Sequence, residues 1–333
     1  MPSRAVRFSM GGTMGFRTFA EALECARAIE ELGFTTLYAS DHMLGVSSMA
    51  VDIPAMEPWT LITALAAATK RLRFGVLVSG VTYRHPSMLA KIASTVDVVS
   101  NGRLDIGIGG AWSKDDHLAF GLDFPPLAER QERLREAVEI LDGLLTRPSF
   151  SYQGKHYRLQ DAVVSPGPVQ KPRPPIMLAA VGEAGIEIAA RHAQMWCAVV
   201  TPAFAADRVA LLSAKARAIG RDPAAIECAQ YSSIFLSDDA REVRRTLEAG
   251  IARITDAKKR PVLAQARNAL GGEPVEERAM ANALIGNAEQ VTARIRAYVA
   301  AGVTHFIIMT PRPFDRRLID KFRKEVMTQF IGN

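Results

Sequence analysis

Short apolar runs alternate with longer segments of helical periodicity along the chain, and this alternation constrains the fold more than any other feature. Apolar residues recur every three or four positions between the runs, as in residues 18–33, where Gly33 ends a helix. Strands that are apolar throughout are typical of parallel sheets covered by helices. Eight such strand and helix units predict an α/β fold of the closed (β/α)8 TIM-barrel type. The predicted strands are residues 5–10, 35–40, 72–79, 103–109, 175–180, 196–201, 228–236 and 305–310.

Two segments are longer than such a barrel requires. Residues 146–174 contain SFSYQGKHYRL, which is typical of a hairpin, followed by a proline-rich connector. Residues 237–285 have the pattern of an added helical segment. Because the alternation resumes after each, we interpret them as insertions after strands 4 and 7 of a single domain spanning residues 1–333.

The composition argues against several functional classes. The chain is 48% hydrophobic and 23% charged, which is typical of a soluble globular protein. No apolar run approaches the roughly 18 residues of a membrane span, and the start MPSRAVRFSM lacks the apolar core of a signal peptide. We therefore expect a cytoplasmic protein that binds no membrane. The charge of +6 is spread over mixed segments such as DRRLIDKFRKE, which disfavours nucleic acid as a partner.

The cysteines do not suggest metal or redox chemistry. Cys25, Cys197 and Cys228 are far apart in the sequence and show no CxxC spacing. We predict that they are reduced core residues and that the chain holds no metal site.

The segment TTLYASDHML at residues 35–44 changes abruptly from an apolar strand to Asp41 and His42. In a parallel barrel, the residues after the carboxyl ends of the strands form the active site. An imidazole at that rim can exchange a proton near neutral pH. The pair could also be a helix-capping aspartate beside a structural histidine, and only its position favours a catalytic role.

Strand 4 ends in LDIGIGGAW, where the backbone carries no side chain at Gly107, Gly109 and Gly110. Glycines at this point could let a ligand lie against the backbone, or they could let neighbouring strands pack closely. The spacing is not the dinucleotide-binding fingerprint, because Trp112 occupies the position of the last glycine. A Rossmann fold is therefore not indicated.

Strand 5 ends in LAAVGEAG, a turn that opens a helix. The free N–H groups and dipole of a helix start favour an anion, so residues 182–185 could hold a phosphate. Glu183 complicates this interpretation, because its carboxylate could itself cap the helix and would repel a phosphate if it pointed inward.

Five segments in order resemble the bacterial luciferase-like monooxygenase superfamily, and in particular its deazaflavin-dependent (coenzyme F420) oxidoreductases. They are SDH, YRHP, SNGRLDIGIGGAW with DDHLAFGLDFPPLAER, GPVQKPRPPIMLAAVGEAG, and AYVAAGVTHFIIMTPRPFD. The resemblance spans nearly the whole chain. It implies a TIM barrel, usually a homodimer, that binds a flavin or deazaflavin in its mouth and transfers a hydride at ring carbon C5 to or from a small-molecule substrate.

The resemblance also implies roles for individual residues. His42 corresponds to the family histidine that lies over the ring and binds or deprotonates the substrate. A bulge in strand 3, with a cis peptide bond that would correspond to Leu77-Val78, would support the back of the ring. The implied cofactor-binding residues are Asp41, Leu77, Val78, Ser79, Gly109, Gly110, Ala111 and Trp112, with Val181, Gly182, Glu183 and Ala184 at the phosphate.

One departure from the family limits the classes of substrate that we expect. The sugar-phosphate dehydrogenases of this group have a general-acid glutamate where this chain has Trp112, and Val46 replaces their tryptophan after the Asp-His pair. We therefore expect a hydrophobic or carbonyl-bearing substrate, although apolar residues at helical spacing can also be ordinary core. The residues expected to line an apolar mouth are Met43, Met49, Met56, Trp59 and Trp112.

The sequence leaves three functions open. The leading hypothesis is an F420-dependent oxidoreductase with His42 as the proton partner. The first alternative is a two-component monooxygenase that uses reduced FMN and oxygen, since FMN and deazaflavin share almost the same tricycle and phosphate arm. The second alternative is a non-catalytic barrel that only binds the cofactor, because fold alone does not establish activity.

Overall fold

The computed structural model describes residues 5–12, 15–44, 54–255, 283–309 and 314–331. The strands in these ranges are β1 (Arg7–Gly12), β2 (Thr36–Ala39), β3 (Arg73–Val76), β4 (Ser79–Gly80), β5 (Leu104–Gly109), β6 (Phe150–Gln153), β7 (Arg158–Ala162), β8 (Ile176–Ala179), β9 (Met195–Ala198), β10 (Glu227–Leu236), β11 (Leu284–Gly286) and β12 (His305–Met309). The α-helices are α1 (Phe19–Glu31), α2 (Pro58–Ala68), α3 (Pro86–Ser100), α4 (Lys114–Ala119), α5 (Leu127–Thr146), α6 (Glu183–His192), α7 (Pro202–Ala218), α8 (Ala240–Thr255), α9 (Ala288–Ala300) and α10 (Arg316–Glu325).

Eight parallel strands close into a barrel, which confirms the predicted TIM-barrel fold. The order around the barrel is β1, β2, β3, β5, β8, β9, β10 and β12, and the pairing of β12 with β1 closes the ring. Each predicted strand overlaps one of these eight. Because all of them run in the same direction, their carboxyl ends meet at one rim and their amino ends at the other.

Capping residues set where several helices begin. The Thr18 side chain accepts a hydrogen bond from the Glu21 N–H at 3.2 Å at the start of α1. Asn287 and Gln290 form a reciprocal capping box at the start of α9. These local signals place the helices between the strands, where their apolar faces cover the barrel.

Charged and polar side chains fill the amino-terminal end of the barrel. The Arg7 guanidinium donates to the Glu227 carboxylate at 2.8 Å. His305 is fully buried, and its Nε2 lies 2.8 Å from Ser9 Oγ while its Nδ1 lies 3.4 Å from Glu227 Oε2. This end is closed by contacts of the protein with itself.

The predicted insertion after strand 4 contains the expected hairpin, β6 paired with β7 in antiparallel fashion. Glu136 on α5 is buried, and its carboxylate accepts the backbone N–H groups of Lys155, His156 and Tyr157 at 2.9, 3.0 and 3.2 Å. One carboxylate therefore fastens the hairpin to α5.

The predicted insertion after strand 7 is described in part. Its helical character is confirmed by α8, and its last residues form β11, a short strand that the sequence did not predict and that pairs with β10. Residues 256–282 of this insertion lie outside the described residues.

The cysteines and the apolar character of the helices are two further features of the structure. All three cysteines are buried and free of disulfides, as predicted. Among the described residues, no helix combines the length and the apolar character needed to cross a bilayer.

Candidate active site

An interruption in strand 3 shapes the carboxyl-terminal rim. The Leu77-Val78 peptide bond is cis, as predicted, and it separates β3 from β4. Ser79 then pairs with Ile108 of β5, and the Ser79 hydroxyl accepts a hydrogen bond from the indole N–H of Trp59 at 2.8 Å. Trp59 is almost fully buried, so the expectation that it lines the mouth is wrong.

Two glycines of β5 face this bulge. A β carbon on Gly107 would lie 1.9 Å from the carbonyl oxygen of Val76, and one on Gly109 would lie 2.8 Å from a methyl group of Val78. Close strand packing therefore accounts for glycine at both positions. A contact between Gly109 and a cofactor stays a prediction.

His42 lies at the same rim, three residues after β2. Its Nδ1 lies 2.7 Å from Asp116 Oδ2, and its ring meets the ring of Trp112 edge to face with centroids 5.2 Å apart. The imidazole side chain keeps 13% of its surface exposed. Its Nε2 has no hydrogen-bond partner among the described residues, so this nitrogen is the one available to a ligand.

Asp116 holds the inner side of His42. Its carboxylate also accepts the backbone N–H of Leu44 at 3.0 Å and the hydroxyl of Tyr83 at 3.2 Å. Burial alone would raise the pKa of Asp116, but the contacts with His42 and the backbone outweigh it and lower the pKa. Burial and the nearby Asp116 carboxylate raise the pKa of the Tyr83 phenol. Asp116 is therefore ionised near neutral pH, and Tyr83 keeps its proton.

Asp41 is buried beside the same site and is engaged by an arginine. The Arg84 guanidinium donates to both carboxylate oxygens of Asp41, at 2.6 and 3.1 Å, and to Glu57 at 2.6 Å. Burial raises the pKa of Asp41 more than the pairing with Arg84 lowers it. The structure thus gives Asp41 a partner within the protein, and its predicted contact with a cofactor stays a prediction.

The loop after β5 is fixed from α5. Ala111 has a positive φ of 56°, which is uncommon for a residue other than glycine. The buried Arg130 donates to the carbonyl oxygen of Gly110 at 3.0 Å and to that of Ala111, and its guanidinium lies 4.2 Å from the ring centroid of Phe124. These contacts hold the segment that leads into Trp112.

The start of α6 is free of a side-chain cap. Gly182 is its N-cap residue, and no described atom lies within 4 Å of where a β carbon on Gly182 would be. The Glu183 carboxylate pairs with Lys215 Nζ on α7 at 2.8 Å, so it does not occupy the helix start. Arg208 Nη1 lies 3.5 Å from the carbonyl oxygen of Val181, which adds a second cation nearby. Ala184 follows in the first turn.

Gln131 on α5 lies between the two loops. Its Nε2 would be 3.2 Å from a β carbon on Gly110, and its Oε1 would be 3.6 Å from one on Gly185. The Oε1 atom is buried and has no hydrogen-bond partner among the described residues. A hydroxylated chain that joins a ring at the first loop to a phosphate at the second would offer this oxygen a donor. The residues of the rim therefore fit a flavin-like cofactor.

The structure brings most of the predicted residues to one rim. His42 lies against Trp112, and Gln131 lies close both to Gly110, in the loop that carries Trp112, and to Gly185, in the first turn of α6. Met49, which was predicted to line the mouth, lies outside the described residues. Val46, the departure from the family noted in the sequence, also lies outside them. Met43 is half-buried, and Met56 lines a small apolar cavity of about 30 Å³ with Phe16 and Leu61.

Sequence reasoning missed several residues that shape this site. Asp116 follows Ser113 by three positions, a pattern that predicts only a helix start, and the Ser113 hydroxyl does accept the Asp116 N–H. Arg84, Asp116 and Arg130 lie in the segments YRHP and DDHLAFGLDFPPLAER that resemble the family, but the sequence did not indicate their contacts, and Gln131 was not singled out at all. In the described part of the chain, no three acidic, histidine or cysteine side chains are arranged to hold a metal ion.

Comparisons with known proteins find similar sequences and similar folds. The model of the family described as luciferase-like monooxygenase matches residues 4–305. An F420-dependent glucose-6-phosphate dehydrogenase of Microbacterium testaceum is 33% identical over 52% of this chain, and the match spans only 51% of that protein. An F420-dependent hydroxymycolic acid dehydrogenase of Mycobacterium tuberculosis is 26% identical over 91% of this chain and 82% of its own length. A solved F420-dependent secondary alcohol dehydrogenase, in complex with an F420-acetone adduct, superposes with a TM-score of 0.80 at 19% identity and covers 97% of this chain and 99% of its own.

Proposed function

Because the chain belongs to the luciferase-like monooxygenase family, as its motifs predicted, we propose that it exchanges a hydride between a bound deazaflavin, coenzyme F420, and an organic alcohol or carbonyl compound. The observation that carries this proposal is the position of His42. Its Nε2 has no hydrogen-bond partner among the described residues, and its ring lies against Trp112 in the loop after β5. Similarity to proteins named as F420-dependent supports deazaflavin as the cofactor.

The residues at the rim would hold the cofactor through backbone and small side chains. The bulge at residues 77–80 would lie behind the ring, and residues 109–112 would line its edge. The Gln131 oxygen would accept a hydroxyl of the linking chain. The phosphate would lie at residues 181–184, where the helix start favours an anion and where Arg208, which also pairs with Asp207, lies nearby. When bound, the deazaflavin supplies the hydride donor or acceptor at ring carbon C5.

His42 would move the proton that accompanies the hydride. Oxidation of an alcohol releases a proton from the hydroxyl, and the free Nε2 of His42 is the atom placed to accept it. In the reverse direction the same nitrogen would return a proton to the carbonyl oxygen. The protein therefore contributes position and proton transfer.

The substrate would be apolar near the reacting carbon. Trp112 stands where sugar-phosphate dehydrogenases of the group have an acidic residue, and Met43 is the other large apolar side chain beside His42 in the sequence. A similar protein named for a hydroxymycolic acid supports a hydroxyl-bearing apolar substrate, whereas the similar protein of Microbacterium testaceum is named for a sugar phosphate. We therefore propose a hydrophobic secondary alcohol, or the corresponding ketone, in preference to a sugar phosphate.

Anaerobic titration of the purified protein with deazaflavin and, separately, with FMN tests the cofactor. We expect deazaflavin fluorescence to saturate at a Kd of about 1 μM or lower, and the bound cofactor to change absorbance when a secondary alcohol is added. Binding of FMN alone, together with oxygen consumption in the presence of reduced FMN, would instead establish the two-component monooxygenase. Tight binding without turnover of any alcohol or ketone would support the non-catalytic alternative.

We also propose that the protein is a homodimer formed through α2 and α3. On α3 the exposed residues Met88, Val98 and Val99 lie near the half-buried Ile92, with the exposed Lys91 and Thr95 between them. Helix α2 exposes Ala64, Ala67 and Thr60 and carries no charged residue. Exposed apolar side chains grouped on neighbouring helices are typical of a protein interface. Light scattering should give twice the chain mass, and Met88→Glu should give the monomer.

A further inference from the structure

We infer that Asp116 is the positioning residue of His42, which fixes the imidazole as the tautomer that presents an unprotonated Nε2 to the substrate. This inference rests on the proposed function, because it assigns a task to a residue behind the proposed proton acceptor. It is carried by the 2.7 Å contact between His42 Nδ1 and Asp116 Oδ2.

The chemistry of the pair determines the tautomer. An ionised carboxylate can only accept hydrogen bonds. Since Asp116 is ionised near neutral pH, His42 Nδ1 must carry the hydrogen of the bond between them. A neutral imidazole has one N–H, so Nε2 then holds a lone pair. A base of this kind needs that lone pair on the side of the substrate hydroxyl.

The carboxylate is itself held in place. Asp116 is 1% exposed and lies in the first turn of α4, where the Ser113 hydroxyl accepts its backbone N–H at 3.3 Å. The N–H of Leu44 and the hydroxyl of Tyr83 donate to its two oxygens. Four groups therefore surround Asp116, including His42, and the carboxylate cannot turn away without leaving donors unpaired.

The same contact stabilises the product of proton transfer. When His42 Nε2 accepts the alcohol proton, the imidazole becomes a cation whose Nδ1–H still points at Asp116. The cation and the carboxylate are then 2.7 Å apart at a largely buried position, where a charge-assisted hydrogen bond is stronger than one between neutral groups. Asp116 keeps its charge throughout and takes no proton.

His117, the next residue, shows what a structural histidine looks like in the same helix. Its Nδ1 lies 2.6 Å from the carbonyl oxygen of Ser113, and its Nε2 lies 2.6 Å from the hydroxyl of Thr82. It is fully buried. Both ring nitrogens of His117 thus form hydrogen bonds inside the protein, whereas only Nδ1 of His42 does so among the described residues.

Asp116→Asn tests the assignment, and Asp115→Asn is its matched control. Both substitutions remove one negative charge from the first turn of α4, but Asp115 does not touch His42. We expect Asp116→Asn to lower kcat by about 100-fold with the Kd for deazaflavin unchanged, and Asp115→Asn to change kcat by no more than about twofold. Asp116→Glu, which keeps the carboxylate, should recover part of the loss.

Nitrogen-15 spectra of the histidine rings supply a measurement that does not depend on turnover. The spectra are recorded on cofactor-free protein at a pH high enough for neutral rings, and the His42 signals are identified by their loss in His42→Ala. We expect His42 to carry its hydrogen on Nδ1 in the wild type and in Asp115→Asn. In Asp116→Asn the hydrogen should be distributed over both nitrogens.

Two results would overturn the inference: an Nε2–H tautomer in the wild type, or an Asp116→Asn protein with the wild-type tautomer and the wild-type kcat. Failure of the proposed function would look different. In that case the wild type would bind no deazaflavin, while the nitrogen-15 spectra would still decide whether Asp116 fixes His42.

Discussion

The two ends of the barrel each contain a histidine beside a carboxylate, yet the two pairs are built differently. At the amino-terminal end, both ring nitrogens of the fully buried His305 face protein atoms, Ser9 on one side and Glu227 on the other. At the carboxyl-terminal rim, His42 contacts Asp116 through Nδ1, and its Nε2 has no hydrogen-bond partner in the part of the chain that the structure describes. His305 is thus enclosed within the barrel, whereas His42 keeps part of its side chain exposed.

The comparison shows how stability and chemistry are separated within one barrel. Burial lowers the pKa of His305, the nearby Arg7 lowers it further, and these effects outweigh the opposite effect of Glu227, so this ring is mainly neutral at pH 7. Its contacts add to the stability of the folded state and offer nothing to a ligand. The rim instead keeps a polar atom available, which is the general arrangement of a barrel active site.

The largest effect should come from replacing one histidine at each end. His42→Ala should lower kcat by about 100- to 10,000-fold while deazaflavin still binds, because the substitution removes the proposed proton acceptor. His305→Ala should keep most of the turnover but lower the free energy of unfolding by about 2–3 kcal/mol, because it leaves a cavity in the packed interior. Steady-state kinetics and urea unfolding of both variants test the contrast. Loss of turnover in a well-folded His305→Ala protein would contradict it.

An effect on stability similar in size to that of His305→Ala, and smaller than the effect of His42→Ala on turnover, is expected for Glu227→Gln. Burial by itself would raise the pKa of Glu227, but the neighbouring His305 and Arg7 outweigh it and bring the pKa from 4.5 to about 2. The carboxylate therefore stabilises the fold above pH 4.5, and this contribution disappears as the pH falls towards 2. Glu227→Gln should lower the free energy of unfolding by about 3 kcal/mol at pH 7.

The pH dependence of this difference is the specific test. The gap in unfolding free energy between the wild type and Glu227→Gln should shrink between pH 4.5 and 2. A gap that stays constant over this range would mean that the ionised carboxylate does not contribute as described. Turnover at neutral pH should be retained in the variant.

The smallest effect is expected at the rim, for Gly182→Ala. The backbone of Gly182 has φ −73° and ψ 154°, which alanine adopts freely, and no described atom lies where the new methyl group would be. The fold should lose less than about 1 kcal/mol. If the phosphate lies at this helix start, the Kd for deazaflavin should rise roughly tenfold, or about 1.4 kcal/mol. An unchanged Kd in a fluorescence titration would place the phosphate elsewhere.

The fold could be predicted because its signals are local. A run such as LDIGIG shows a buried parallel strand within six residues, and the eight runs fix the barrel when taken together. The three-residue strand β11 was missed because a strand that short has too little pattern to distinguish it from a loop. The position of His42 followed from the fold, since a residue just after a barrel strand must lie at the rim.

The partners of the site residues could not be predicted in the same way. Asp116 is 74 positions from His42, and Arg84 is 43 positions from Asp41, so each contact joins segments that meet only in the folded chain. Trp59 was expected at the mouth because it is large and apolar, but hydropathy does not show which side of a bulge a ring will occupy. Sequence periodicity reports burial, and it carries little information on the direction of polar side chains.

The close approach of β3 to β5 has a practical consequence for protein engineering. The carbonyl oxygen of Val76 occupies the space into which any side chain at position 107 would project. Saturation mutagenesis aimed at a new substrate range should therefore keep Gly107 constant and vary positions such as Met43 and Trp112, where the side chains are only partly enclosed. A library designed in this way would contain fewer variants that do not fold.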